Sequence, residues 1–413
     1  MRLARCLPML LCGALGLVSC DKPTGPLVVP ELVFEREAHW PRRDAYPGVG
    51  SGRIIVTNSY EDTVSIFDLE QLGRADFAEL ARVPVGLSPV ELEGAHHAVV
   101  DPGGEYYYVG ISNFRPGSGS GPHGAHGTGT MPGYAIKIRA ADNRRVGSTR
   151  VDPNPGEIMI SPDGATLFQT HFNVSQVASV AGRGGPESEM YAALAIIDAA
   201  TMARKAMVPT CPAPHGMRFS PDGKKAYIAC LSDEVAVVSL DDGSFPVARI
   251  KVAANAGTAT STIHEPYALT VSPTSGDVWV SSIRSNELQV LVGSTQQMDA
   301  TRRLGLLGPP YFGTFSADGR TLYIPEQESD SIVVINPQTA TVQRRIPLAG
   351  SGCLKAHQIV FTPDERYALV VCEGTHSSPG SLVVLDASAN LAVSRVVPVG
   401  LFPDYVGIIR GMR

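Results

Sequence analysis

The stretch Met217-Arg-Phe-Ser-Pro-Asp-Gly223, an apolar segment that ends in a tight-turn sequence, decides the fold because its pattern recurs along the chain. Proline fixes φ and glycine accepts positive φ, so Pro-Asp-Gly favours a tight turn between two strands. The other instances are Ala98–Gly104, Ile158–Gly164, Leu269–Gly276, Gly313–Gly319 and Ile359–Glu365. Such a repeat indicates consecutive copies of one supersecondary unit.

The segments between the turns predict the content of each unit. A turn is followed by a second apolar strand such as Lys225–Ala229, a third such as Ser331–Asn336 and a fourth such as Gln343–Leu348. Runs of this length with β-branched residues, bounded by turn residues, are typical of strands. Each unit is therefore predicted to be a four-stranded antiparallel meander, and six units are complete.

The seventh unit is split between the two ends of the chain. Asp404–Arg410 supplies one strand, and Arg53–Asn58, Thr63–Asp68 and Ala81–Val85 supply the other three. Pairing the two ends closes a ring and protects sheet edges that would otherwise stay open. We therefore predict an all-β fold, a seven-bladed β-propeller of four-stranded antiparallel blades in which one blade is closed by N- and C-terminal strands.

Three stretches carry a resemblance to a known family. They are Ile55–Asp68, which begins Ile-Val-Thr-Asn, then Tyr108-Val-Gly-Ile-Ser-Asn113, and Tyr323–Asn336. They resemble the YVTN-type propeller repeats of prokaryotic envelope proteins, over essentially the whole chain after residue 48. The resemblance implies the propeller fold, but it transfers no catalytic residues, because propellers of this kind serve as enzymes, electron-transfer modules and binding platforms.

Composition and charge narrow the class of protein. The chain has 413 residues, 44% of them hydrophobic, with 42 glycines and 32 prolines, which suits many short strands and turns. Its formal net charge of −6 leaves no basic footprint, so we expect no nucleic-acid partner. There is no Cys-x-x-Cys-His sequence, so we expect no covalent haem.

The N-terminus has the features of a processing segment. Arg2 and Arg5 precede the apolar run Leu7–Val18, and Cys20 follows directly after Ser19. This pattern resembles a bacterial lipoprotein signal, and the run is too short to span a bilayer. We predict a signal peptide over residues 1–19, a lipid anchor to the membrane at Cys20, a tether over 20–48 and the propeller over 49–413. The location would be the bacterial cell envelope, at the periplasmic or outer-membrane face.

Four cysteines of the propeller form two copies of one pattern. Cys211 and Cys353 each precede a histidine by four residues, and Cys230 and Cys372 follow that histidine by fifteen. In an antiparallel pair the start of one strand lies beside the end of the next, so each pair falls at one blade corner. An oxidising compartment favours the disulfides Cys211–Cys230 and Cys353–Cys372. Metal ligation by two cysteines and a histidine in each blade is the alternative.

Aligning the blades on their turns places one residue of each blade around the mouth of the central channel. Going round, these residues are His96, Gly156, His215, Tyr267, Tyr311, His357 and Asp404. Imidazoles from three blades spaced around one axis suit a shared transition metal, so His96, His215 and His357 are the predicted ligands. Copper is the first choice, with zinc or iron as alternatives.

Further residues of the same face extend the predicted site. Tyr267, Tyr311 and Asp404 are predicted to orient the imidazoles from the channel mouth, where His264 also lies. Glu265, beside His264, would add a ligand or a general base, or would be a carboxylate of a surface loop. The tyrosines also fit simple core packing. Two insertions, 113–132 and 173–192, are predicted to reach this face, which we call the top face; it would hold nine of the ten histidines.

The top face also admits an interpretation without a metal. A ring of polar residues in a wet channel needs no ion, and a propeller face can bind a protein, peptide or glycan partner instead. A small-molecule partner entering under the two insertions is a further option. The chain offers no combination of nucleophile and base that would indicate a hydrolase or lactonase.

Overall fold

The computed structural model describes residues 52–87, 92–112, 126–241 and 243–410. The predicted signal peptide, the lipidation residue Cys20 and the tether lie outside this part of the chain, and so does His123. Within the described residues the strands form seven separate sheets of four strands each. Each sheet is one blade.

The first four blades follow the chain in order. Blade one contains β1 (Arg53–Asn58), β2 (Thr63–Asp68) and β3 (Ala81–Pro84), together with β28 (Pro403–Ile409). Blade two contains β4 (Ala95–Val100), β5 (Tyr106–Ile111), β6 (Pro132–Arg139) and β7 (Arg144–Pro153). Blade three contains β8 (Pro155–Ile160), β9 (Thr166–His171), β10 (Tyr191–Asp198) and β11 (Arg204–Pro212). Blade four contains β12 (Pro214–Phe219), β13 (Lys225–Cys230), β14 (Glu234–Ser239) and β15 (Val247–Lys251).

The last three blades repeat the same meander. Blade five contains β16 (Pro266–Val271), β17 (Val278–Ser282), β18 (Glu287–Val292) and β19 (Gln297–Gly305). Blade six contains β20 (Thr314–Phe315), β21 (Leu322–Glu326), β22 (Ser331–Asn336) and β23 (Thr341–Pro347). Blade seven contains β24 (Ala356–Phe361), β25 (Tyr367–Cys372), β26 (Pro379–Asp386) and β27 (Ala392–Leu401).

The ring closes as predicted. The C-terminal β28 pairs antiparallel with β1, in register Ile54↔Ile408 and Val56↔Val406. The innermost strands contact one another in chain order, and β28 also contacts both β24 and β4, so blade one joins blade seven to blade two. The prediction of a seven-bladed propeller with one composite blade is therefore confirmed.

The core lies between the blades, because alternate side chains of a strand face opposite sides of its sheet. All six residues of β1 are buried. Its Ile55 packs with Tyr107 of blade two, whereas its neighbours Ile54 and Val56 pack with Leu369 of blade seven. Fully burying an aliphatic side chain of this size is worth about 1.5–3 kcal/mol. The stacking of blades is therefore the main source of stability.

The repeated Pro-Asp-Gly turns have the predicted form. Gly223 adopts a φ of 70°, and its N–H donates to the carbonyl of Ser220 at 2.8 Å. Asp222 accepts a hydrogen bond from the Ser220 hydroxyl at 2.5 Å. Gly164 and Gly319 have φ values of 73° and 69° at the corresponding positions. Only glycine adopts this conformation readily, which explains the spacing of the repeat.

The inner strands are irregular at the top face. The register between the first and second strand of a blade shifts between Ala95 and Ala98, between Pro155 and Ile158, and between Pro214 and Met217. A β-bulge of this kind re-aims side chains and is common near functional sites. It lies in each of these blades at the residues that the alignment placed around the channel mouth.

Candidate metal centre

Each blade offers one residue at the same place around the axis. His96, His215 and His357 are the second residues of β4, β12 and β24, and all three are fully buried. In blade six the segment around Tyr311 forms only isolated bridges, of which one joins Pro310 to Glu326. The alignment of the blades therefore identified structurally equivalent residues.

His96 comes from blade two and His215 from blade four, and their Nε2 atoms lie 3.3 Å apart. On the other side of each ring, Nδ1 contacts an oxygen. His96 Nδ1 lies 3.0 Å from Asp404 Oδ2, and His215 Nδ1 lies 3.3 Å from the backbone carbonyl of Tyr267. The carbonyl of Tyr267 and an ionised Asp404 can only accept, so Nδ1 carries the proton when each ring is neutral. The lone pairs of both rings are thereby left on the Nε2 atoms.

His97 joins this pair from the same bulge as His96. One nitrogen from each of His96, His97 and His215 lies within 4.8 Å of the other two. The His97 side chain is 1% exposed, and neither of its ring nitrogens has a hydrogen-bond partner among the described residues. A buried polar atom without a partner is costly, so it points to a ligand that the described residues do not supply.

His126 is the fourth imidazole of what we call the histidine cluster: His96, His97, His126 and His215. Its ring centroid lies 4.0 Å from that of His96 and 5.1 Å from that of His215. Its Nε2 lies 3.2 Å from the carbonyl of Pro155, next to Gly156. Gly156 is the blade-three residue equivalent to His215, so blade three has no side chain at this position, and His126 contacts the residue before it.

The insertion of blade three holds the segment of His126 in place. It contains α1 (Val174–Gly182), a helix whose residues Val177 and Val180 are buried against the propeller. Ser175 N–H donates to the carbonyl of Gly127 at 2.9 Å, and Asn154 donates to the carbonyl of Gly129 at 2.8 Å. The prediction that this insertion reaches the top face beside the channel agrees with these contacts.

Aromatic rings surround the histidine cluster. Tyr267 stacks on His215 with ring centroids 3.7 Å apart. Phe312 lies 5.0 Å from His97 and 5.9 Å from His215, and Phe172 lies 5.1 Å from His126. These rings exclude water from the imidazoles. They also lower the local dielectric constant, which strengthens any interaction with a cation.

His357 belongs to a different group from the one predicted. It forms a second set with Glu373 and Asp404, with one ligand atom from each within 4.8 Å of the others, and all three residues are fully buried. His357 Nδ1 lies 2.6 Å from the backbone carbonyl of Asp404, and its Nε2 lies 3.9 Å from Glu373 Oε1. Asp404 links the two groups, because its Oδ2 also contacts His96.

Burial controls the protonation of both groups. It lowers the pKa of His96, His97 and His126 well below the usual value, and the neighbouring imidazoles lower the pKa further. These rings are therefore neutral at pH 7 and keep a lone pair for a metal. Burial raises the pKa of Asp404 to about 7, although His357 opposes the rise. Burial also raises the pKa of Tyr267 well above its usual range, which keeps its phenol protonated.

The remaining predicted residues lie around these groups or apart from them. Burial raises the pKa of Tyr311 well above normal, and its ring lies 5.1 Å from that of His357. His264 is held in blade five instead, where Ser285 and Asn255 lie 3.1 and 3.2 Å from its ring nitrogens. Glu265 follows it, and burial raises the pKa of that carboxyl.

Both predicted disulfides are present. Cys211–Cys230 and Cys353–Cys372 each join residues 19 positions apart. Cys211 lies at the end of β11 in blade three, and Cys230 at the end of β13 in blade four, so this bond ties two blades together at the top face. The alternative, metal ligation by these cysteines, is therefore wrong.

Sequence reasoning missed three members of the two groups. The sequence pattern predicts that His97 turns away from His96, as in an ideal strand, because it gives no signal for the bulge between Ala95 and Ala98. His126 lies on an insertion whose path is not encoded in the blade pattern. Glu373 follows Cys372 directly, and its position next to the repeated cysteine pattern is the signal that the sequence offers for it.

Comparison with known proteins supports the fold alone. No family model and no curated protein matches the chain. The solved structures that it resembles include a putative 6-phosphogluconolactonase from Bacteroides fragilis, at a TM-score of 0.62 and 11% identity over 89% of this chain and 100% of that one. The periplasmic gluconolactonase PpgL from Pseudomonas aeruginosa has a TM-score of 0.60 and 16% identity, over 87% of this chain and 100% of that one. Apo AztD from Citrobacter koseri has a TM-score of 0.54 and 10% identity, over 87% of this chain and 98% of that one.

Two observations bear on the compartment. The disulfides are typical of proteins that fold in an oxidising environment outside the cytoplasm. Among the described residues, none of the helices combines the length and the apolar character needed to cross a bilayer. Geometry and comparison together make the chain a seven-bladed β-propeller with two adjoining groups of buried histidines and carboxylates at one end of its channel.

Proposed function

We propose that this protein is a lipid-anchored propeller of the bacterial cell envelope whose histidine cluster binds a transition metal, for redox chemistry or metal handling. The proposal rests on the pairing of His96 with His215. Two nitrogens that each lie about 2.0 Å from one ion, at a tetrahedral angle, are about 3.3 Å apart. The two Nε2 atoms have this separation.

The surroundings of the pair support ligation. Without a cation or proton between them, two Nε2 lone pairs at this distance repel each other. Asp404 and the carbonyl of Tyr267 hold the opposite nitrogens, as outer hydrogen-bond partners commonly do for metal-bound histidines. His97 supplies a third nitrogen that has no other partner among the described residues. Three imidazoles with room for one further ligand are a common arrangement for zinc and copper.

Copper is our preferred metal, with zinc and iron as alternatives. The cluster offers neutral nitrogen donors only, and the four cysteines of the propeller are held in disulfides. Nitrogen sites bind divalent first-row metals in an order that reaches its maximum at copper. The lipid anchor at Cys20 and the membership of the YVTN-type repeats belong to the same proposal. The sequence Leu17-Val-Ser-Cys20 supports the anchor, and the recurrent turn sequence supports the membership of the repeat family.

Metal content after reconstitution tests the proposal. We expect full-length protein that is purified from an oxidising periplasm and loaded with Cu(II) to retain about one equivalent at the histidine cluster. The variant His215→Asn keeps an N–H close to Nδ1 but lacks Nε2, so we expect at least a tenfold loss of affinity.

His171→Asn is the matched control for this experiment. His171 is equally buried, but its nitrogens contact the carbonyl of Ala193 and the N–H of Asp152. We expect this variant to retain the copper. Equal copper retention by His215→Asn and wild-type protein, at matched folding, would refute the proposal.

A second candidate function is partner binding without a metal. Ile263, Leu307 and Leu354 are 44%, 67% and 47% exposed. They lie in three consecutive blades, each three or four residues before the channel residue of its blade. Exposed aliphatic side chains at equivalent positions suit a protein partner better than a glycan. The test is cross-linking to envelope proteins by wild-type protein and by the double variant Ile263→Ser, Leu307→Ser. If the double variant loses the cross-links and wild-type protein binds no copper, this candidate replaces the first.

A further inference from the structure

We propose that His357, Glu373 and Asp404 form a second cation site, which takes a divalent metal that accepts mixed nitrogen and oxygen ligands. One ligand atom from each residue lies within 4.8 Å of the others, and none of the three side chains is exposed. This site goes beyond the histidine cluster and does not depend on metal binding there.

The separation of the ligand atoms fits an ion. His357 Nε2 and Glu373 Oε1 lie 3.9 Å apart, which is too far for a hydrogen bond. Two ligands that are each about 2.1 Å from a metal lie at most about 4.2 Å apart. The Nδ1 of His357 donates to the carbonyl of Asp404, so Nε2 is the ring nitrogen on the side of Glu373.

The buried carboxylate of Asp404 is a further indication of a cation. Its Oδ1 is buried and has no hydrogen-bond partner among the described residues, while its Oδ2 accepts from Ser59 and contacts His96. Within that part of the chain no lysine or arginine forms an ion pair with Asp404. A buried carboxylate needs a compensating charge, and a divalent cation supplies one.

Glu373 is already oriented like a metal ligand. Gln327 donates to its Oε1 at 2.5 Å, and His376 Nε2 lies 2.8 Å from its Oε2. Hydrogen bonds of this kind fix a ligating carboxylate in one rotamer. Two carboxylate ligands and one imidazole suit zinc, manganese or iron(II), whereas the histidine cluster offers nitrogen donors only, so the two sites differ in ligand type.

Asp404 also connects the two sites. The same carboxylate contacts Nδ1 of His96 through Oδ2 and offers Oδ1 to the second site. A cation at the second site withdraws electron density from this carboxylate and so weakens its hold on the proton of His96. Occupation of the second site would therefore change the ligand strength of the histidine cluster.

Zinc and cobalt binding to the full chain test this site. After removal of bound metal with a chelator, we expect wild-type protein to take up about two equivalents of Zn(II). We expect Glu373→Gln and His357→Asn each to take up about one, and the remaining equivalent to be lost when His215→Asn is added. With Co(II), Glu373→Gln should shift the visible absorption of the remaining site, because Asp404 is shared.

The control is Glu326→Gln, since Glu326 is a fully buried carboxylate of blade six that pairs with Arg345 at 3.1 Å. It should bind as much zinc as wild-type protein. Unchanged uptake in both Glu373→Gln and His357→Asn would overturn the second site. A loss in those variants with no effect of His215→Asn would instead contradict the proposed function and leave the second site standing.

Discussion

His171 and His215 are both fully buried, yet their rings are used differently. His171 lies between two backbone groups, since Nδ1 donates to the carbonyl of Ala193 and Nε2 accepts from the N–H of Asp152. In His215 only Nδ1 contacts a backbone oxygen, and Nε2 points at another imidazole. The first arrangement is that of a structural histidine, and the second brings two imidazole Nε2 atoms together, as in a metal site. Residue type and burial alone would not distinguish them.

A partly buried carboxylate at the start of the inner strand of blade two makes a separate prediction about pH. Burial raises the pKa of Asp62 to about 6, even though the amides of Glu93 and Gly94 donate to it. Between about pH 4 and pH 6 the folded state holds a proton that the unfolded state has released. The contribution of Asp62 to stability is therefore fully present below pH 4 and lost as the pH rises through 6.

Chemical unfolding of Asp62→Asn at pH 4 and pH 7 checks this sign. Relative to the variant, we expect wild-type protein to lose on the order of 2 kcal/mol of unfolding free energy between these pH values. Asp163→Asn provides the contrast, because the hydroxyl of Ser161 lowers the pKa of Asp163 and its contribution is lost at low pH. Parallel pH profiles of Asp62→Asn and wild type would show that the pKa of Asp62 is not raised in the folded protein.

At the scale of elements, the start of each inner strand decides what enters the channel. The bulge in β4 turns His96 and His97 to the same side, although successive residues of a regular strand face opposite sides. Hydroxyl groups of the preceding blade support these starts. Thr57 donates to the carbonyl of His96 at 2.8 Å, and Thr170 to that of His215 at 2.6 Å. Thr57 is the threonine of the Ile-Val-Thr-Asn sequence, so that repeat has a direct structural role.

The two disulfides make a paired prediction at this scale. Both close loops of the same length, 19 positions. In the chain-entropy model each should contribute about 3 kcal/mol to the free energy of unfolding. We expect Cys211→Ala with Cys230→Ala, and separately Cys353→Ala with Cys372→Ala, to lower that free energy by similar amounts in urea titrations. A loss below about 1 kcal/mol in either pair would contradict the prediction for that loop.

At the scale of the whole molecule, β28 contributes to both the closure of the ring and the candidate site. It supplies the innermost strand of blade one, and it carries Asp404, which links the histidine cluster to the second group. Closure of the ring and assembly of the candidate site therefore depend on the same strand. Ring closure brings His96 and Asp404 within 3.0 Å, although they are 308 positions apart in the chain.

Removal of β28 tests this dependence. A chain that ends at Phe402 lacks the buried Val406 and Ile409 and leaves one edge of β1 unpaired. We expect it to lose about 5 kcal/mol or more, and therefore to unfold without a cooperative thermal transition. A chain that ends at Arg410 keeps all of β28 and is the control. Equal melting temperatures for the two chains would show that the ring does not need its closing strand.

The propeller, its composite blade, the channel residues and both disulfides could be predicted from the sequence, because they depend on local chemistry. Turn residues and strand alternation act over short distances, and because they recur in each blade they define the whole ring. The partners of each histidine depend instead on bulges, on the path of an insertion and on contacts between blades. For this reason only the tertiary structure separated His357 from His96 and His215, and added His97, His126 and Glu373.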